Sequence, residues 1–295
     1  MFPQYIEPVY RPPSEANSLI LQVTNGCSWN RCTFCEMYTD EQKRFHPRAF
    51  EVLDAEMAAL SASGLQPRRI FLADGDAMTL SFRRLREILL AIRHHFPGLQ
   101  RVSAYCLPRN VKNKSVEELA DLRQLGLQLV YVGCESGDDE VLGLVDKGET
   151  WQSSLDALEK LGRAGIRRSV MILNGLGGSR YSEQHAVNSA TLINASQPEY
   201  LATLVVSFPR GRQRFEQAFD GRFVSLDTLQ LAQEMEILLS HLELEKTIFR
   251  SDHASNYLVL KGTLNRDRER LLQTVRQSIR QPGSVALRPE WQRGL

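Results

Sequence analysis

Short apolar runs alternate with longer stretches of helical periodicity along most of the chain. The first run, SLILQVT (18–24), is rich in Leu, Ile and Val and predicts a buried strand. RRIFLAD (68–74) predicts a second strand. It is followed by SFRRLREILLAIRHHF (81–96), whose apolar residues recur at helical spacing. RVSAYC (101–106) then leads into a helix over SVEELADLRQLG (115–126), which ends on a C-cap-like glycine. LQLVYVGCES (127–136) precedes a helix over 150–165, and RRSVMILNGLGG (167–178) precedes one over 181–196. EYLATLVVSFPRG (199–211) closes the series. These six strand-then-helix units imply parallel pairing with right-handed crossovers. Six units form either an open doubly wound sheet or a curved, incomplete barrel.

The pattern changes after Gly211. A long helix is expected over 225–244, a strand–turn–strand over 246–262 and a basic amphipathic helix over 265–281. No Pro- or Ser-rich linker interrupts the sequence, so one domain is expected over 1–295, with a core at 15–210 and an extension at 211–295.

Composition narrows the classes. A chain of 295 residues suffices for one sizeable core, and its net charge of +1 gives no general attraction to nucleic acid or an anionic membrane. No run approaches the roughly 18 apolar residues that a membrane helix needs. The opening MFPQYIEPVYRPP has neither signal-peptide nor transit-peptide character, so a cytoplasmic protein is expected.

Five cysteines are too few and too clustered for a secreted disulfide framework. Three of them, Cys27, Cys32 and Cys35, lie in NGCSWNRCTFCEMY, just past the first predicted strand. In α/β folds that is where active sites sit. The spacing C-x4-C-x2-C supplies three soft ligands and leaves a tetrahedral metal or a cubane one short. Structural zinc wants a fourth ligand, and the nearest histidine, His46, is eleven residues past Cys35. A closed iron–sulfur cluster would need Cys106 or Cys134. Cys134 alternates along its strand with Glu135 and shares a face with Val130 and Val132, which disfavours it. Cys106 stays open as a fourth ligand; a small buried apolar residue is the ordinary reading of both.

At these residues the chain resembles the radical SAM superfamily, and more closely its Elp3/MiaB/NifB-like group. Three cysteines follow the first strand, and Phe34 stands just before the last of them, though one residue more than usual separates Cys27 from Cys32. FLADGDAMTL (71–80) stands where the superfamily often has Gly-Gly-Glu, and VYVGCESGDDEVLGLVDKGET (130–150) resembles its GIESG, VL and KG signature. MILNGLGG (171–178) resembles the adenine-contact segment and lacks the spacing of a dinucleotide fingerprint.

The resemblance covers residues 15 to 210 and implies an α/β fold, a partial (β/α)6 TIM-like barrel, here with a C-terminal α+β extension. It implies a [4Fe–4S] cluster on Cys27, Cys32 and Cys35, and S-adenosylmethionine contacts at Asp74, Gly75, Asp76, Glu135, Ser136 and Lys147. The implied reaction cleaves S-adenosylmethionine to a 5′-deoxyadenosyl radical that abstracts hydrogen from a substrate, with an electron from a donor such as flavodoxin or ferredoxin. Asp74 to Asp76 would meet the methionine ammonium, which needs oxygen acceptors, while glycine lets carbonyls approach. Lys147 would pair with a carboxylate, and Ser136 also reads as the cap of a helix with Asp138 and Asp139 in its first turn.

The rivals are an electron-transfer or sensor protein with a closed cluster using Cys106, and a zinc-stabilised binding module. In the extension, His253, Asn256 and Tyr257 are read as satisfying turn backbone rather than as substrate ligands. Arg266, Arg268, Arg270, Arg276 and Arg280 are read as a solvated helix face. No RNA-binding module, second cysteine cluster or cobalamin domain is evident in the sequence.

Overall fold

A computed structural model describes residues 3–208 and 212–294. It divides into two compact units: residues 1–30, 37–133 and 157–168 form the first, and residues 31–36, 134–156 and 169–295 the second.

The first unit begins with β1 (Leu19–Gln22), then a small antiparallel pair, β2 (Thr24–Asn25) with β3 (His46–Pro47). It continues through α1 (Phe50–Ala62), β4 (Arg69–Ala73), α2 (Phe82–His95), β5 (Arg101–Cys106), α3 (Val116–Gln124) and most of β6 (Leu127–Glu135). Strands pair in parallel in the order β1–β4–β5–β6, with Leu21 opposite Leu72, Leu72 opposite Ala104 and Ala104 opposite Val130. Both faces are covered, which is why these strands read as continuous apolar runs rather than alternating ones. One face carries an aromatic cluster in which Phe71 meets Tyr105 edge-on, ring centroids 5.0 Å apart. Helix α2 buries Leu85, Ile88, Leu89 and Ile92, one stripe at i, i+3, i+4 and i+7. Its N-cap is Ser81, which accepts from the Arg84 amide.

The second unit holds the end of β6, then α4 (Asp139–Leu144), the first half of α5 (Trp151–Arg163) and most of β7 (Arg167–Asn174). It goes on through α6 (Gly178–Ser196), β8 (Tyr200–Val205), α7 (Gln213–Ala218), α8 (Thr228–His241), β9 (Ile248–Ser251), β10 (Leu260–Thr263) and α9 (Arg268–Arg280). Here β7 pairs with β8 in parallel, Asn174 opposite Val205. The expected strand over 199–211 is observed over 200–205, and its last three residues lie outside those described. The long helix α8 is set by a reciprocal capping box in which Asp227 and Gln230 exchange amide hydrogen bonds of 2.8 and 2.9 Å.

One extension strand joins the parallel series. β9 runs parallel to β8, with Leu201 opposite Phe249, and β10 then folds back antiparallel on β9. Sequence patterning saw a strand, a turn and a strand here but not their partner, because a short apolar run carries no signal of pairing direction. Helix α9 starts at Arg268, three residues later than expected. Arg268 and Arg276 are less solvated than expected of that helix: Arg268 donates to the Leu239 carbonyl at 2.9 Å and Arg276 to Glu236 at 2.7 Å, both across to α8. Among the strand pairs described, pairing is parallel except for β2–β3 and β9–β10, so the fold class is α/β with a mostly parallel sheet. No helix among the described residues is long and apolar enough to cross a membrane.

Phe71 is fully buried and has few ways to be replaced. Phe71→Ala is expected to lower unfolding stability by about 3–5 kcal/mol through the cavity it opens, and Phe71→Leu by under about 2 kcal/mol. Urea midpoints of the two variants check the difference.

Candidate functional site

In the first unit the cysteine loop leaves β2 at Gly26, whose φ of +68° and whose 2.0 Å approach of a notional Cβ to the Lys43 carbonyl admit only glycine. Asn25 holds the returning chain, donating to the Gln42 carbonyl at 2.7 Å and the Arg44 carbonyl at 3.0 Å. Cys27, partly exposed, sits against the turn after β4. There Gly75 donates to the Gly26 carbonyl at 3.1 Å, and a Cβ on Gly75 would fall 2.9 Å from the Cys27 Cβ and 2.7 Å from the Tyr38 ring. Glycine is needed at position 75 for close approach.

Asp74 and Asp76 flank that glycine, both fully buried. The Oδ2 atom of Asp74 takes an ion pair from Lys43 and hydrogen bonds from Gln22 and the Gly26 amide, each of the latter at 3.3 Å. Its Oδ1 atom is buried with no hydrogen-bond partner among the described residues. Asp76 accepts from the Ser28 amide at 3.0 Å, from the Ser28 hydroxyl and from Asn110 at 3.4 Å. Burial pushes both carboxyls above the ordinary carboxylate value, and Lys43 on one and Ser28 on the other pull against it. One residue past Ser28, the Trp29 ring carries the Arg109 guanidinium 3.7 Å from its centroid.

The second unit carries Cys32 and Cys35. They share a turn in which the Cys35 amide donates to the Cys32 carbonyl at 3.2 Å. The turn is tied to the end of α4: the Thr33 amide donates to the Val145 carbonyl at 3.0 Å, and Arg31 pairs with Asp146 at 3.0 Å. Phe34, the aromatic before the last cysteine, packs on the apolar cluster of Val141, Val145, Leu176, Tyr181, Phe215 and Phe219. Lys147 lies 5.9 Å from the centroid of that Phe34 ring and bonds Glu135 at 3.0 Å. Both side chains of this pair are buried. Burial works against the Lys147 ammonium, yet Glu135 and the neighbouring Cys32 hold its pKa above the usual lysine value. Lys147 is thus an interior cation rather than a solvated helix-end lysine. Glu135 has φ +66°, a left-handed conformation unusual for a side chain of this size at a strand end.

Ser136 does not cap α4, as the sequence led one to expect; Asp138 does, accepting from the Val141 amide at 2.9 Å. The Ser136 hydroxyl instead accepts from the Asp138 amide at 2.9 Å and meets His185 Nδ1 at 2.7 Å. His185 Nε2 donates to the Leu173 carbonyl at 3.0 Å. Asp138 also accepts from Asn188 at 2.7 Å. Gly137 fits beneath α6, where a Cβ would come 2.2 Å from the Asn188 carbonyl oxygen. The Glu-Ser-Gly run is therefore a junction between β6 and α6. Sequence reading missed Lys43, His185 and Asn188, because nothing in a charged DEQKR stretch or a polar helix marks which residue turns inward.

The remaining thiols are buried. Cys134 is fully inside, its pKa pushed up to about 12 by burial, and Cys106 directs its sulfur at the Leu107 carbonyl, 3.2 Å away. Among the described residues no three or more His, Cys, Asp or Glu side chains gather into a metal site. The donor chemistry of the loop nevertheless suits a cluster. Burial pushes the Cys32 thiol up to about 11 despite Lys147, and metal ligation reverses that preference for the protonated form. Three thiol sulfurs within nine residues match iron–sulfur ligands in kind and number and would leave one coordination position over. The orphaned Asp74 Oδ1 is likewise an acceptor suited to an ammonium.

Comparison with known proteins agrees with this chemistry. A stretch of 148 residues is 28% identical to the uncharacterized methyltransferase PH0819 of Pyrococcus horikoshii, covering 50% of this chain and 30% of that protein. The radical S-adenosylmethionine methyltransferase TsrM of Kitasatospora setae, solved with cobalamin and a [4Fe–4S] cluster, superposes with a TM-score of 0.51 at 22% identity, over 63% of this chain and 34% of that one. The chain thus spans about a third of the length of these two relatives. Methylornithine synthase matches over 92% of this chain and 83% of its own, at 15% identity and a TM-score of 0.52, and the two share a fold, the partial (β/α)6 barrel that the motifs implied. The family model of the radical SAM superfamily matches residues 21–191, from β1 into α6. The chain belongs to the radical SAM superfamily.

Proposed function

We propose that this chain is a radical SAM enzyme that binds a [4Fe–4S] cluster through Cys27, Cys32 and Cys35 and acts on a small-molecule substrate. The observation that carries the reading is the position of the three thiols, on the loop that leaves β2 just past β1 and inside the region matched by the family model. When bound and reduced, such a cluster supplies one electron that splits a sulfur–carbon bond of S-adenosylmethionine, giving methionine and a 5′-deoxyadenosyl radical able to take hydrogen from the substrate. A one-electron donor such as flavodoxin or ferredoxin is the partner this chemistry needs.

The protein's part is to hold and orient. Cys27 is seated by Gly75, and Cys32 and Cys35 are seated by the ties of their turn to Val145 and Asp146. Asp74 offers its buried Oδ1 to the methionine ammonium, while Lys43 keeps that carboxylate in place through Oδ2. Gly75 and Asp76 offer main-chain carbonyls, because the Asp76 side chain is already engaged with Ser28 and Asn110. Glu135, Ser136 and Lys147, in the second unit, form a second polar set. Ser136 acts there by positioning, since its hydroxyl is held by His185 and Asp138.

Anaerobic reconstitution is expected to load about four irons per chain. With dithionite and S-adenosylmethionine the loaded protein should release 5′-deoxyadenosine. Cys27→Ala, Cys32→Ala and Cys35→Ala should each lose the iron and the product, and Cys106→Ala should keep both. Loss of the cluster in Cys106→Ala would point instead to a closed electron-transfer centre.

Two further variants test the supports. Gly75→Ala forces Cys27 and Tyr38 apart and should reduce iron content per chain, whereas Gly98→Ala, which would touch nothing within 4 Å, should leave it unchanged. Lys147→Met strands Glu135 inside the protein and should cost about 3–5 kcal/mol of stability. Adding Glu135→Gln should restore most of that stability without restoring 5′-deoxyadenosine release. Chemical denaturation and product chromatography read the two effects separately.

A further inference from the structure

The second unit contains a cavity lined by none of the residues proposed above to hold the cluster or S-adenosylmethionine. It encloses about 330 Å³ between the strand ends Asn174, Val205 and Ser251 and the inner side of α8, where Leu231, Ala232 and Met235 face it. Pro282 and Leu287, from the segment after α9, complete the wall. The volume is at the lower end of the range for small-molecule sites. No Asp, Glu, Lys, Arg or His lines it. An ion would therefore enter without a counter-charge, at high desolvation cost.

Asn174 gives the cavity its direction. It is the last residue of β7, and alternation puts it on the same face as Val170 and Ile172, which are fully or almost fully buried. Asn174 itself is 4% exposed. Its carbonyl accepts from the Val206 amide at 3.0 Å, but its side-chain amide makes no hydrogen bond to any described residue. The contrast with Asn256, in the same wall, is sharp: that amide donates to the Thr203 carbonyl at 2.8 Å and to Ser251, and accepts from the Val205 amide at 2.8 Å. One asparagine is structural, as the sequence suggested, and the other lines the cavity with an amide that makes no hydrogen bond to a described residue. Such a group costs stability unless something else satisfies it.

The segment after α9 roofs this space. Arg288 donates to the Asp252 carbonyl at 3.0 Å, the Asn256 carbonyl at 3.2 Å and the His253 carbonyl, and its amide bonds the Tyr257 carbonyl at 2.8 Å. Arg293 adds a bond to the Ser255 carbonyl at 2.9 Å and stacks on the Tyr257 ring, 3.6 Å from its centroid. His253, Asn256 and Tyr257, read from the sequence as satisfying turn backbone, thus lie in the turn that anchors a strap.

We propose that this cavity is a binding site for a neutral, mainly apolar small molecule whose single carbonyl or hydroxyl group is met by the Asn174 amide. Leu231 and Met235 hold its apolar body, and the strap over residues 282–293 closes on it.

The test uses the iron-loaded full chain and two probes of similar size, 2-acetylnaphthalene, which is neutral, and 2-naphthoate, which is not. 2-Acetylnaphthalene should bind saturably at one site in a calorimetric titration, and 2-naphthoate at least tenfold more weakly. Asn174→Leu is close in volume and removes the unpartnered amide. It should raise the urea midpoint of the ligand-free chain while weakening 2-acetylnaphthalene about tenfold, the loss of one hydrogen bond. Ala232→Phe should fill the space and abolish binding. The proposal fails if 2-acetylnaphthalene does not bind saturably, if 2-naphthoate binds equally well, or if Asn174→Leu lowers the midpoint or leaves the affinity unchanged.

Discussion

A carboxylate taken out of water has to be matched, and around Asp74 that requirement organises the first unit. Lys43, Gln22 and the Gly26 amide converge on a single oxygen of Asp74. They come from the stretch before β3, from β1 and from the turn after β2. Neutralising one buried charge therefore fixes three separate pieces of chain, and Cys27 rides on one of them. The same requirement recurs in the second unit, where Glu135 and Lys147 satisfy each other beside Cys32. Buried ion pairs contribute little net stability compared with apolar packing, but breaking one is costly, so they define geometry more than they add strength.

Glycine does the complementary task. At Gly26, Gly75 and Gly137 a side chain would collide with backbone or with a cysteine, at notional distances of 2.0, 2.9 and 2.2 Å. Charges draw the loops together and absent side chains let them meet. Glu135 and Asp146 both adopt positive φ, on either side of α4.

How much of this was legible in the sequence follows from the range of each signal. The strands expected over 68–74, 101–106 and 167–178, the last observed over 167–174, and the amphipathic helices were readable, because their periodicities repeat within one element. The cysteine spacing was readable for the same reason. The parallel pairing of β9 with β8 was not, since pairing joins residues some fifty positions apart and leaves no local trace. Nor was the role of Ser136: Ser-Gly-Asp-Asp looks like a cap from any window, and the presence of His185, 49 residues later, turned its hydroxyl elsewhere. Lys43 shows the sharpest limit. A lysine amid DEQKR reads as solvated, and its complete burial is decided by Asp74, 31 residues on.

The roof over residues 282–293 has a consequence for biogenesis. Its anchors grip carbonyls of the 252–257 turn, and that turn in turn closes the edge of β8 through Asn256. During translation β7 and β8 emerge long before Arg288 does. The nascent second unit must therefore exist for a time with an uncovered apolar wall, until residues 282–293 follow and shelter it.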